Sequence, residues 1–331
     1  MKKLQIIVAL CLCAAIGMFF MLSGCNKSKT GGKLILRAAD DHPFGYPTTE
    51  GLVYMGKIIS ERTNGRIQLK VFPSAQLGSE TQTIENTQMG TLDINRVSSA
   101  PLTEFSEKIG IFSMPYLFRD EEHFWKVLDG PIGQEVGADL EKKGLKLLAY
   151  YDSGARSFYN TKRPIRTPDD LKGLKIRTQK SQVMMDIANT LGAAATPMSF
   201  EEVYTSLQTG VIDGAENNAA SYLSTNHYEV AKYYSLDAHA RVPEVVIISM
   251  KTWNKLSPAD RKLVAEVAKD SEKVQRRLWA KYETDALTKV KAAGCKVNVP
   301  DTKPFRERVQ PMYEKYSDRF GDLVERIQAV K

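Results

Sequence analysis

From Ser257-Pro258-Ala259-Asp260, where a serine and a first-turn proline mark a helix start, the chain runs to Gly294 without a helix breaker. About 35 residues at about 1.5 Å each make a rod of about 50 Å, longer than a small domain is wide. A coiled coil would need a strict heptad, which Leu263, Val264, Val267, Val274, Leu278 and Leu287 do not keep. The rod is therefore expected to lie across two lobes.

Upstream, strand and helix patterns alternate. Residues 34–39 and 66–72 have strand composition, and between them Leu52, Val53, Met55, Ile58 and Ile59 fall at helical spacing up to Asn64-Gly65. A second unit follows, with a capping box at Ser79-Glu80-Thr81-Gln82, a stop at Gly90 and a strand over 92–97. The pattern recurs later in the chain. Thr167-Pro168-Asp169-Asp170 reads as a helix start, 174–178 as a strand and 181–191 as a helix. Ser199-Phe200-Glu201-Glu202 is another capping box, Gly210 another stop, 211–213 another strand entry, and 244–250 a buried strand. The fold class expected is α/β, in two lobes.

The N-terminus carries a separate signal. Lys2 and Lys3 precede an apolar run over 4–21 that closes on Leu22-Ser23-Gly24-Cys25, the pattern of a bacterial lipobox. Residues 1–24 are read as a lipoprotein signal peptide, Cys25 as the lipidation site, and 25–33, rich in Gly, Ser and Lys, as a tether. An uncleaved membrane anchor is the alternative, since about 18 apolar residues can span a bilayer. The small residues before a cysteine favour cleavage. The expected location is extracytoplasmic, lipid-anchored at Cys25, in the periplasm or on the outer face of the cell membrane.

Composition narrows the partners. The formal charge is +7, of which Lys2 and Lys3 leave with the leader, and no Lys/Arg block stands out, so nucleic acid is not expected. The mildly basic balance fits an anionic small ligand. Of four cysteines, Cys11 and Cys13 lie in the leader and Cys25 is the lipid site, leaving Cys295 alone as a buried structural thiol with no internal disulfide. No nucleophile elbow, P-loop, His-Glu-x-x-His or dinucleotide fingerprint is present, and the four histidines are not at metal-ligand spacing. No catalytic residue, metal or cofactor is assigned.

Longer motifs add to this. YDSGARSFYN at 151–160, TPDDLKGLKIR at 167–177, GVIDGAENN at 210–218, FPSAQLG at 72–78, DINRVSSAPL at 93–102 and Thr196-Pro197-Met198 occur in order, before the long late helix. With these, nearly the whole mature chain resembles the DctP-like solute-binding proteins of tripartite ATP-independent periplasmic (TRAP) transporters. The resemblance implies a two-lobe, periplasmic-binding-protein-like fold closing on an organic acid, with a domain-spanning helix. Lobe I would comprise 34–153 and 243–283, and lobe II 154–242 and 284–331. It also implies a monomer that delivers its ligand to small and large integral membrane subunits.

The motif positions imply a substrate-binding set. Arg177 in LKIR matches the arginine that pairs with the ligand carboxylate, for which a guanidinium fork is suited. Arg156 matches a second basic position, Asn217 an amide on the same carboxylate, and Phe200 an aromatic packed on the ligand. Glu80 and Ser98 match positions facing the cleft, with Asp40, Asp41 and His42 in the loop after the first strand. His239 matches a histidine acting indirectly. Ser98 and Pro101 depart from the family's sialic-acid binders, and acidic groups in the Asp40 loop accept hydrogen bonds from hydroxyls while repelling a second carboxylate. A hexuronate such as glucuronate or galacturonate is therefore expected, before a four-carbon dicarboxylate or sialic acid. A secreted uronide-degrading enzyme is the alternative of another class.

Overall fold

The computed structural model describes residues 32–331, so the expected signal peptide, Cys25 and most of the tether lie outside the described residues. Residues 34–331 form one body built on two mixed sheets. The first contains β1 (Leu34–Ala39), β2 (Ile67–Phe72), β3 (Ile94–Ser98), β4 (Leu145–Tyr151) and, far later in the chain, β10 (Glu244–Ser249), in the order β2-β1-β3-β10-β4. The second contains β5 (Arg156–Asn160), β6 (Lys175–Thr178), β7 (Ala194–Pro197), β8 (Gly214–Asn217), β9 (Tyr233–Ala240) and β11 (Lys296–Asn298), in the order β11-β9-β5-β8-β6-β7. Strand β10 runs antiparallel to both neighbours, because the chain enters it directly from the second sheet.

The rod is a single helix, Pro258–Ala292, started by Ser257, whose Oγ accepts from Asp260 N at 3.1 Å. Its first half seats Val264, Val267 and Ala268 in the core of the first sheet, and its last turns seat Ala286 and Val290 in that of the second. Between them Gln275 grips the chain crossing from β4 to β5, its Oε1 accepting from Asp152 N and its Nε2 donating to Asp152 O, each at 2.8 Å. Glu272 accepts from Tyr150 N at 3.0 Å. Among the described residues no helix is long and apolar enough to cross a membrane.

Several expectations shift in detail. The strand expected at 211–213 begins instead at Gly214, because Asp213 closes the turn, its N–H donating to Lys175 O at 2.8 Å and its Oδ2 accepting from Lys175 N at 3.0 Å. At Thr167 the capping box starts only a 3-10 turn, Pro168–Leu171. Met250 leaves the buried strand to open the helix Met250–Lys255. Cys295 is buried just before β11 and accepts a 3.3 Å contact from Tyr222 Oη. Two regions without a sequence assignment are also ordered. Helices Glu121–Asp129 and Pro131–Asp139 follow β3, and the terminal helix Ser317–Ala329 straps back onto them, with Ile327 O facing His123 Nε2 at 2.9 Å and Arg326 Nη2 on Glu135 Oε2 at 2.6 Å.

Candidate functional site

The two sheets present one edge each to a shared cavity. On the first sheet this edge is the end of β3, the loop after β1 and, because β10 is antiparallel, its beginning, with Glu244 registered opposite Ser98. On the second it is the ends of β6 and β8 and the start of β5. Strand ends are where open α/β sheets expose polar groups to a ligand. The cavity is lined among others by His42, Glu80, Ser98, Arg156, Arg177, Phe200 and Asn217. Contacts between the two edges roof it, with Tyr46 Oη on Ser221 Oγ at 2.8 Å and the His42 ring edge-on to Phe200 at 5.1 Å.

Three arginines dominate the charge, and each is held differently. Arg96, 1% exposed on β3, is the hub of the first edge. Its Nη2 contacts both Asp40 and Asp41, and its Nη1 donates to Glu244 Oε2 at 2.5 Å. Burial opposes that cation, but three carboxylates outweigh burial and hold it well above the usual arginine value. Arg156 is forked by Glu216, with Nε to Oε2 at 2.5 Å and Nη2 to Oε1 at 2.9 Å, while Nη1 donates to Asn217 Oδ1 at 3.1 Å. Arg177 is the exception. Its Nε and Nη2 reach only the carbonyl of Met198, at 3.0 and 2.9 Å, and among the described residues no carboxylate pairs with it, although it is 3% exposed. Burial draws it below the usual arginine value.

Asn217 is half-committed. Its Oδ1 accepts from Arg156 and from Asn218 N at 2.9 Å, which leaves the amide Nδ2 as a donor at the cavity wall. Phe200 lies under the Arg177 guanidinium, 5.7 Å from it, so the same ring faces cavity and cation. His42 stacks on Tyr46 at 3.7 Å; burial, with Arg96 and Arg156 nearby, pushes it down to about 3 despite Asp41, so the ring is neutral.

Two of the expected residues, Asp40 and His239, do not line the cavity. Asp40 sits behind its wall, 2% exposed, accepting from His42 N at 2.8 Å and from Thr48 Oγ1 at 3.2 Å while it holds Arg96. His239 is fully buried behind Glu216, with Nδ1 on Asp237 Oδ2 at 2.9 Å and Nε2 3.5 Å from Glu216 Oε2. Burial opposes its charge, yet Asp237 and Glu216 raise it to about 9, and the resulting cation helps bring Glu216 down to about 2. The histidine thus fixes the carboxylate that fixes Arg156.

Sequence reasoning passed over Arg96, Glu216, Glu244, Gln179 and Ser221, all in the cavity or directly behind it. A signal existed for three of them. A charged residue inside a buried strand needs a partner, and INRVS, GAEN and EVVIIS each contain one. Gln179 and Ser221 carry no such mark. Among the described residues no cluster of His, Cys, Asp and Glu is arranged to hold a metal ion.

Residues 39–319 match the family model of bacterial extracellular solute-binding protein, family 7, also called DctP. The chain belongs to this family. A solute-binding protein of Chromohalobacter salexigens is 38% identical over 323 residues, covering 97% of this chain and 95% of its own. A TRAP periplasmic solute-binding protein of Bradyrhizobium, solved with galacturonate bound, is 45% identical with a TM-score of 0.87, covering 88% of this chain and 99% of that one. Another from Pseudomonas putida F1, solved with D-glucuronate bound, is 40% identical with a TM-score of 0.88, covering 90% and 98%. Family 7 membership accounts for the two sheets joined by a long helix and makes this an extracytoplasmic solute-binding protein.

Proposed function

We propose that this family 7 protein captures a hexuronate, D-glucuronate or D-galacturonate, for a TRAP transporter and performs no chemistry on it. One observation carries the reading: Arg177 is a buried guanidinium that lacks a carboxylate. A buried cation without a partner is unfavourable, and a ligand carboxylate set against its free Nη1, beside the Asn217 amide, supplies the missing charge. The opposite wall suits the rest of a sugar acid. Asp41 and Glu244 accept hydrogen bonds from hydroxyls and repel a second carboxylate, which disfavours a dicarboxylate. The hexuronates held by the solved relatives support the same choice.

Two lobes, 34–153 with 243–283 and 154–242 with 284–331, would open at the crossings around Asp152 and Val242 and close over the ligand. The loaded receptor would then meet small and large integral membrane subunits. A thermal-shift panel tests the ligand. Glucuronate or galacturonate at 100 times its dissociation constant should stabilise the mature protein by about 2.7 kcal/mol, and succinate and sialic acid should not. A shift with succinate alone would sink the hexuronate assignment.

The lipobox supports anchoring at Cys25, which keeps a slowly diffusing receptor near those subunits. Cys25→Ser should move the protein from the membrane fraction to the soluble one. Continued sedimentation of that variant with membranes argues for an uncleaved anchor.

A further inference from the structure

The first edge of the cavity holds more acid than its one cation can balance. Asp40, Asp41 and Glu244 all share Arg96. Glu80 does not. It opens the helix Glu80–Met89, its Oε1 accepts from Ser98 N at 2.7 Å, and among the described residues its Oε2 has no hydrogen-bond or ion-pair partner. That oxygen belongs to a side chain lining the cavity.

The charged groups around Glu80 come from every element packed on the site. Asp41 and His42 face it from the loop after β1, Arg96 from β3 and Glu244 from β10, with Arg177 and Arg156 across the cavity on β6 and β5 and Glu216 behind Arg156. Lys180, just past β6, lines a second small pocket with Glu80 and donates to Ser199 Oγ at 3.0 Å. His42 is neutral, so it offers no balancing charge. Burial first, then Asp41 and Glu244, push Glu80 well above the usual carboxylate range against the pull of Arg96 and the Ser98 N–H. The helix N-terminus also favours an anion here, but its effect is confined to one turn. Seating a carboxylate on Arg177 adds one more negative charge to the same cavity and removes the one arginine that had no other claim.

We propose that Glu80 meets the ligand as a neutral carboxylic acid, donating a hydrogen bond from Oε2 to an oxygen of the sugar acid, so that the uronate is captured together with a solvent proton. This rests on the hexuronate reading. It adds a donor where ionised Asp41 and Glu244 can only accept, which a sugar with ring and hydroxyl oxygens can use.

Isothermal titration calorimetry of wild type and Glu80→Gln between about pH 6 and about pH 9, where an ordinary carboxylate does not titrate, tests it. Buffers of different ionisation enthalpy report the proton. Wild-type affinity should fall with rising pH as up to one proton is taken up per ligand. E80Q should take up none and bind more tightly than wild type at the alkaline end, because an amide keeps a donor at every pH. The carbonyl stretch of a protonated carboxyl group, seen by infrared spectroscopy in loaded wild type and lost in E80Q, reads the same proton without an affinity measurement. E80Q binding at least about tenfold more weakly across the whole range overturns the proposal, since only an ionised acceptor would be missed so evenly. Failure of the wild type to bind either uronate overturns the hexuronate reading instead, and shows before any variant is compared.

Discussion

An Arg177→Ala variant should lose about 3–5 kcal/mol of affinity for its acid, roughly two to four orders of magnitude in Kd, with no loss of stability in the empty protein. The two halves of that expectation come from one geometry. In the empty cavity the guanidinium has the Met198 carbonyl and the Phe200 ring but no paired carboxylate, so removing it relieves an unpaired buried charge. With ligand bound the same guanidinium becomes half of a desolvated ion pair, and its removal strands the carboxylate. Arg177→Lys keeps the charge but not the planar fork and should fall between the two. Calorimetric titration with glucuronate and melting of the empty protein give both numbers. Affinity within about threefold of wild type would show that the carboxylate sits elsewhere.

Arg96→Met should do the reverse, damaging the protein before it damages binding. Three buried carboxylates depend on that side chain, and breaking such a cluster from one side costs about 3–5 kcal/mol. For a chain of this size each kcal/mol lowers Tm by about 2 °C. The pH dependence separates this cause from simple loss of packing. Without Arg96 the carboxylates have folded-state pKa values above their unfolded ones, so the variant gains stability as pH falls through those raised values. In the wild type Asp40 and Glu244 are raised even beside Arg96 and only Asp41 is held below its usual value, so acid favours the variant more than the wild type. Melting at about pH 5 and about pH 8 should therefore show the gap between variant and wild type narrowing in acid. A gap that stays constant would mean the methionine simply packs badly.

How far the sequence reveals this site depends on how local each signal is. The rod is legible because Ser257, Pro258 and Gly294 act on their own neighbours, and Ser79 with Gln82 forms the capping box its spacing predicts. Arg177, Arg156 and Asn217 sit inside motifs, and Phe200 just past one, whose resemblance carried them to one cavity. Arg96 and Glu244 were missed for a physical reason. They meet across 148 positions of chain, and only the antiparallel return of β10 beside β3 brings them together. Asp40 was expected to face the ligand from the loop after the first strand, yet neighbouring residues there point different ways. One carboxylate faces the cavity and the other closes the back of Arg96.

The grip of Gln275 on Asp152 has a further consequence. If the two lobes close as proposed, a rod seated in two cores and pinned near its middle would couple the width of the cavity to the twist of the helix. Residence time is then written partly at residues that never meet the ligand. Substitutions that stiffen or loosen the stretch from Glu272 to Trp279 should then change the dissociation rate more than the choice of ligand.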